Sequence, residues 1–496
     1  MILFIIGILI LLIGGYFYGK YCEKVFGPDD RETPAVKKAD GVDFVVMKSW
    51  KNQLVELLNI AGTGPIFGPI QGILFGPIAF ITIPVGCVLA GSLHDYFAGM
   101  ISMRNDGGQV PKLIEKYVGS GTKKIYFVVT CVLMLLVGAV FIYTPGDLIV
   151  NDIMGMDINS GIIWFVYAGI LLYYIVATIF PIDAIIGKIY PIFGAFLIIS
   201  AIGIFVGVLA NGGRDLHAMT EGAFLSVHPD GLSFIPVFFI TVACGILSGF
   251  HATQATMISR TVKSEKDGVK TFYNMMIVEG FIAMCWAAGA MILFNQGSDL
   301  KTPTTIMVSE VARHFMGDFG GLIAIIGVIV LPITSGDTAF RSLRLMLSEQ
   351  FNIDQSKITK RIGLSAVLFI PAVAILYWAK INPSGFNILW RYFAFTNQLV
   401  AVFGLIMISI YLGTHGKNYW ISLIPGMFYA FVVSSFILHA DIGFKLDKLF
   451  GIEGYTVSYI VAAIIVIFIC IFVRKKIKER ESYIRELDFI DFQTAN

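Results

Sequence analysis

The densest set of chemically capable side chains lies in an apolar stretch, Leu331-Pro332-Ile333-Thr334-Ser335-Gly336-Asp337-Thr338-Ala339-Phe340-Arg341-Ser342-Leu343-Arg344. On a helix Asp337 and Arg341 are four residues apart and can face each other. Arg344 extends the line, and Thr334, Ser335 and Thr338 surround the carboxylate. A carboxylate ringed by hydroxyls suits a coupling ion, H+ or Na+. Arg341 would then hold Asp337 ionised when the ion leaves. The structural alternative is an ion pair that pins two helices. A second set is His94 and Asp95, adjacent and therefore expected to point in different directions; Asp95 serves equally as a gate, a tether between helices or a proton relay. His251 titrates near neutral pH when unperturbed and is a candidate for substrate or proton contact. Glu56 and Glu279 are secondary, and each is equally able to snorkel or cap.

These residues need elements that can hold them at membrane depth. Two apolar stretches are interrupted. The first reads Asn59-Ile60-Ala61-Gly62-Thr63-Gly64-Pro65-Ile66-Phe67-Gly68-Pro69-Ile70-Gln71-Gly72. Two Gly-Pro pairs so close together are expected to unwind the helix, because each proline removes a donor and clashes with the preceding turn. The freed carbonyls of Asn59 to Thr63 then need protein, water, substrate or an ion as partner. Glycines at 64, 68, 72 and 76 also suit a close helix–helix face. The second stretch, Thr241 to Thr256, carries Gly245, Ser248, Gly249, His251, Thr253 and Gln254 at its middle.

The chain has 496 residues, 56% hydrophobic and 14% charged, and 51 glycines. Soluble domains carry roughly 25% charged residues, so this is a polytopic helical membrane protein. A disordered chain, a nucleic-acid-binding module and a secreted disulfide scaffold are excluded. The net charge of +2 identifies no partner. The six cysteines form no CxxC and the seven histidines no HxxxH or HExxH, so neither a metal nor a cofactor is expected. No GxSxG or Walker loop is present, which argues against an enzyme or an ATP-driven pump.

Apolar runs of about 20 residues predict thirteen crossings. They fall at about 2–19, 50–71, 76–101, 124–150, 160–180, 186–211, 234–257, 272–295, 320–346, 362–380, 387–412, 418–439 and 455–473. This predicts an extra helix over 1–19, a polar cytoplasmic segment over 20–49, five helices over 50–211 and an external loop over 212–233. A second set of five helices covers 234–412, two more cover 413–473, and a tail covers 474–496. Lys and Arg concentrate in alternate loops and in the tail, placing the N-terminus outside and the C-terminus in the cytoplasm of a cell-membrane protein. Each five-helix unit opens with an interrupted helix and the two start from opposite sides. That is the pattern of an inverted repeat with its binding site between the broken helices near the midplane. A channel is the competing reading, but it needs a continuous pore and usually subunit symmetry. Nothing in the sequence fixes the oligomeric state.

Together these stretches resemble the carbon starvation protein CstA family, in its compact branch. The resemblance rests on Asn59 through Pro69, Val88 through Asp95 with Met103-Arg104-Asn105-Asp106-Gly107, Ala243 through Ala252, and Asp337 with Arg341 and Arg344. It runs from about residue 45 to residue 415. It implies a LeuT-like core of five plus five helices, relationship to the amino acid–polyamine–organocation superfamily, and secondary transport of small carboxylates or peptides. Pyruvate uptake with protons and peptide use in starvation are the associated activities. The expected substrate site is Asn59, Gly62, Thr63, Gly64, Ser248, Gly249 and His251, with the carboxylate of a small monocarboxylate at the amides near Gly64. The ion site is Asp337, Thr334, Thr338 and Arg341, and His94 and Asp95 form a gate or relay.

Overall fold

The computed structural model describes residues 1–41, 43–179, 182–211, 215–216, 228–355, 357–382 and 384–494. Among these residues every regular element is helical. α1 (Ile2–Phe26) runs two turns beyond the expected end at residue 19. Lys20 and Glu23 pair across one turn of that extension, and Gly27 closes it in the left-handed conformation at φ 71°. The second crossing is split into α2 (Ser49–Ile60) and α3 (Gly64–Gly72). α4 (Ala79–Arg104), the short amphipathic α5 (Val110–Tyr117), α6 (Ser120–Ile153), α7 (Ile162–Ile179) and α8 (Ile182–Asn211) complete the first unit.

The seventh crossing opens with helical turns from Phe234 and continues through α9 (Ala243–Ile246) and α10 (Gly249–Ile258). α11 (Glu265–Asn295), α12 (Thr304–Phe351), α13 (Ile358–Ile381) and α14 (Gly385–Thr414) complete the second unit. α15 (Trp420–His439) and α16 (Thr456–Thr494) follow. Among the described residues ten helices are long and apolar enough to cross a membrane, and two shorter apolar helices run over Gly64–Phe75 and Ile162–Thr178. Gly317, at φ 68°, kinks α12 and separates its first turns from the crossing itself. Most of the expected external loop, 212–214 and 217–227, lies outside the described residues.

The interrupted helices and their following helices, α4 and α11, pack into one group: α2 lies on α10 and α11, α3 on α9 and α11, and α10 on α4. The third and fourth helices of each unit form a second group, in which α12 lies on α6 and α7 and α13 lies on α6. The same positions of the two units therefore do the same job, which is how an inverted repeat builds a bundle and a scaffold. Residues 27–41 and 43–48 tie one end of the bundle together. Thr33 Oγ1 donates to the Val262 carbonyl at 2.6 Å, and Asn52 and Thr261 exchange hydrogen bonds at the foot of α2.

Candidate functional site between the broken helices

At the first break Ala61 leaves the helix with ψ 51°, and the Gly62 amide turns back to the Ile60 carbonyl at 2.8 Å. The amides of Ile66 and Phe67 start α3 by donating to the Thr63 carbonyl. The break is thus confined to 61–63, and the Gly-Pro pairs do not unwind the segment as expected. Pro65 occupies the first turn of α3, where its missing N–H is one that no helix satisfies. Pro69 costs one hydrogen bond in a nine-residue helix that passes into a 3-10 turn at Ile73. Asn59 and Thr63 are fully buried, and their side-chain polar atoms have no hydrogen-bond partner among the described residues.

At the second break Leu247 and Ser248 are extended, with ψ near 127° and 126°, between α9 and α10. Glycine is not the residue that extends: Gly245 lies inside α9, and Gly249 is needed for closeness, since a Cβ there would stand 2.5 Å from the Asn397 carbonyl oxygen. Asn397 and Gln398 of α14 repair this break from outside. Asn397 Oδ1 accepts from the Phe250 amide at 2.8 Å and from Ser248 Oγ at 3.1 Å, and its Nδ2 donates to Cys244 Sγ at 3.1 Å. Gln398 Nε2 donates to the carbonyls of Phe239 and Leu247, each at 3.2 Å. Neither residue figured in the expected site. The available signal was an adjacent amide pair inside an apolar crossing.

The two broken helices lie side by side. A Cβ on Gly64 would stand 1.9 Å from Cys244 Cβ, one on Gly68 2.9 Å from the Thr241 carbonyl oxygen, and one on Gly72 2.3 Å from Val242. The glycine row is therefore a close-packing face, and it coexists with the break. Gly64 meets Cys244, while Ser248 and Gly249 are turned to α14 and His251 to α4 and α11. The expected substrate residues are thus divided among three contacts. Aromatic rings enclose the first break: Phe141 covers Gly62 and lies 6.1 Å from Phe250 and 6.3 Å from Phe393, and Trp390 lies 6.0 Å from Phe67 and 5.4 Å from Phe393.

Inside the bundle, four helices bring together Glu56, His94, Asp95, His251 and Glu279, all completely buried. His251 Nδ1 is 3.1 Å from Asp95 Oδ2, and its Nε2 is 3.6 Å from Glu279 Oε2. His94 Nδ1 is 3.0 Å from Asp95 Oδ1. Adjacent residues do meet here, contrary to expectation: a 100° step leaves the ring nitrogen nearest the backbone within reach of a short carboxylate. Glu56 and Glu279 neither snorkel nor cap; their carboxyl oxygens have no hydrogen-bond partner among the described residues.

On α12 the Asp337 carboxylate accepts the Tyr173 hydroxyl at 2.7 Å. Arg341 donates to the Ala177 carbonyl at 2.5 Å and stands 3.9 Å from Asp43, and Arg344 donates to Gln355 at 2.5 Å. The hydroxyls near this carboxylate also bond to backbone. Thr334 Oγ1 donates to the Leu331 carbonyl and Thr338 Oγ1 to that of Ser335, whereas Ser335 Oγ crosses to the Leu58 carbonyl at 2.9 Å, one turn before the first break. Tyr173 was missed because nothing in sequence links α7 to α12. The described residues contain no group of three or more His, Cys, Asp and Glu side chains arranged to hold a metal.

The family model described as carbon starvation protein CstA matches residues 1–164, 150–316 and 300–435. An uncharacterized membrane protein of Haemophilus influenzae is 36% identical over 348 residues, covering 61% of this chain and 93% of the relative. The peptide transporter CstA of Escherichia coli is 24% identical over 548 residues, covering 84% of this chain and 77% of its own. Among solved structures, MhsT in complex with L-phenylalanine superposes with a TM-score of 0.58 over 86% of this chain and 99% of its own, at 12% identity. A manganese transporter of Eremococcus coleocola gives 0.52 over 90% and 99%, also at 12% identity. At those identities the likeness carries the fold alone, a LeuT-like helical membrane architecture.

Proposed function

The chain belongs to the carbon starvation protein CstA family, and from that premise we propose that it is a secondary active transporter importing a small carboxylate such as pyruvate. The driving ion is H+ or Na+. The observation that carries this reading is the first break. Two buried polar side chains, Asn59 and Thr63, have no hydrogen-bond partner among the described residues, beside the amide end of α3 and within an aromatic enclosure. Unsatisfied buried polar groups are costly unless something binds them, and amides at a helix start favour an anionic oxygen. Apolar walls with few polar groups suit a small organic solute. In this reading Gly62 and Gly64 allow the chain to turn and approach closely, and Asn59 and Thr63 meet the solute's oxygens.

Coupling is assigned to α12. Asp337 gains or releases charge, Thr334 lies one turn before it and Thr338 next to it, and Arg341, one turn after it, limits the cost of an empty, ionised site. The Ser335–Leu58 hydrogen bond supports this assignment, because it ties α12 to the broken helix. Positive-inside asymmetry supports an external N-terminus and a cytoplasmic C-terminus. A second reading, import of peptides, is favoured by the name of the Escherichia coli relative, a peptide transporter.

Purified protein in proteoliposomes tests both readings. Labelled pyruvate is expected to exchange in counterflow and to accumulate under an imposed H+ or Na+ gradient. Exchange of dipeptides without exchange of pyruvate would replace the first reading by the second, and exchange of neither would reject both. Asp337→Asn is expected to abolish accumulation while counterflow persists. Full concentrative uptake by that variant would remove Asp337 from coupling.

A further inference from the structure

The bundle holds three carboxyl groups and two imidazoles with no strong cation to balance them. Glu56 comes from α2, Asp95 and His94 from α4, His251 from α10 and Glu279 from α11. Among the described residues, no lysine or arginine stands within ion-pair distance of any of the three carboxyls; their only such neighbours are the two histidines. Glu56 lies within electrostatic reach of Asp95, and Glu279 within reach of both. The other titratable groups facing Glu279 are the thiols of Cys87 and Cys244. Each is neutral or negative and none supplies positive charge.

The charge count follows directly. With every carboxyl ionised and both imidazoles neutral, the cluster carries three negative charges and no compensating cation. An isolated carboxylate in an apolar interior costs far more than a protonated one, so a neutral cluster holds three exchangeable protons. Even with both imidazoles charged, one carboxyl must remain an acid. The unpartnered oxygens of Glu56 and Glu279 are the natural seats, because Asp95 already accepts from His94 and His251.

We propose that Glu56, Asp95, His251 and Glu279 form a proton-loading site inside the bundle, separate from Asp337, and that this site takes up and releases a coupling proton in addition to the charge change assigned to Asp337. The inference rests on the transporter reading above and specifies H+ over Na+. The step balances within the cluster. Glu279 begins as an acid, His251 carries its hydrogen on Nδ1, and Asp95 is ionised. The Glu279 O–H bond breaks as an N–H bond forms on His251 Nε2; the Nδ1 hydrogen passes to Asp95, leaving Glu279 ionised and Asp95 an acid. The 3.6 Å gap from Nε2 to Glu279 is longer than a hydrogen bond, while the Nδ1–Asp95 contact is already made at 3.1 Å. The relay is thus open on the α11 side, and a shift of α11 against α10 would close it.

Two measurements test this. In the first, proteoliposomes carry a pH-sensitive dye in the lumen. Wild type is expected to bring protons in with pyruvate or, on the second reading, with dipeptide. Glu56→Gln and Glu279→Gln are expected to lose this proton entry, the pH dependence of accumulation and the accumulation itself, yet still exchange solute and melt at a temperature no lower than wild type. Glu279→Asp should restore part of the proton entry. Undiminished proton-driven accumulation by both Gln variants would overturn the site, as would wild-type accumulation driven by Na+ alone.

The second measurement needs no transport. Infrared spectra of purified wild type should show the carbonyl stretch of a protonated carboxylic acid at neutral pH, weakened in each Gln variant. No such band in wild type would overturn the proposal. A wild type that shows the band but exchanges no solute would reject the transporter reading while leaving the protonated cluster standing.

Discussion

The two breaks solve one problem in opposite ways. Both interrupt a helix deep in an apolar bundle, and both free backbone groups that lipid cannot satisfy. At the second break a neighbouring helix supplies the missing partners: Asn397 and Gln398 take the Phe250 amide, the Ser248 hydroxyl and the Phe239 and Leu247 carbonyls. At the first break Ser335 reaches in from outside, to the Leu58 carbonyl, and the Asn59 and Thr63 side chains keep polar atoms without hydrogen-bond partners among the described residues. A stitched break is a fixed structural joint. An unstitched one holds binding capacity in reserve, and that difference is why the proposed solute site is the first.

The largest effect should come from forcing the two breaks apart. A Cβ at Gly64 would stand 1.9 Å from Cys244 Cβ, 2.6 Å from its Sγ and 3.3 Å from its Cα. Gly64→Leu should cost about 3 kcal/mol or more, abolish counterflow and lower the yield of folded protein. Gly64→Ala should be milder, and Cys244→Gly in the same chain should restore part of its Tm. Normal transport by Gly64→Leu would show that the breaks need not touch.

Unstitching the second break comes next. Asn397→Leu keeps the volume but leaves the Phe250 amide and the Ser248 hydroxyl without their acceptor. Each loss is worth about 1–3 kcal/mol, so a substantial fall in Tm is expected in a thermal melt. An unchanged Tm would mean that the second break finds other partners and the contrast between the breaks is false. Ser335→Ala, at the first break, removes one hydrogen bond and should cost about 1 kcal/mol. Its measured signature should be a modest Tm loss and weaker gradient-driven uptake, since α12 would be released from α2.

How much of this was legible in sequence follows from the physics involved. The all-helical membrane architecture and both interruptions could be read because apolar run length and Gly, Pro and polar interruption are local signals. Where each break falls was read less well: Pro65 and Pro69 both sit inside α3, because a proline's cost depends on how many helical donors precede it. Asp337 was identified as a buried carboxylate, but its partner Tyr173 lies on another helix, 164 residues away in sequence. The bundle cluster was the largest shortfall. Glu56 and Glu279 read as secondary, and His94 and Asp95 as diverging, because convergence of four helices on one point is a tertiary fact. Charge counting becomes possible only once the members are known to be neighbours.

The smallest effect on the fold gives the sharpest comparison. Thr63 and Ser248 are both fully buried hydroxyls at a break, one without a partner and the other donating to Asn397 at 3.1 Å. Thr63→Val is nearly isosteric and removes a buried hydroxyl that makes no internal hydrogen bond. It should leave Tm unchanged or raise it, with up to about 1 kcal/mol of added stability. Ser248→Ala removes a made hydrogen bond and should lower stability by about 1 kcal/mol. Solute affinity should rank the other way: a hydroxyl reserved for the ligand costs binding when lost, so Thr63→Val should weaken half-saturation in counterflow more than Ser248→Ala. If Thr63→Val instead destabilised the protein and spared affinity, the hydroxyl would have an internal role, and the solute would have to be sought at the second break.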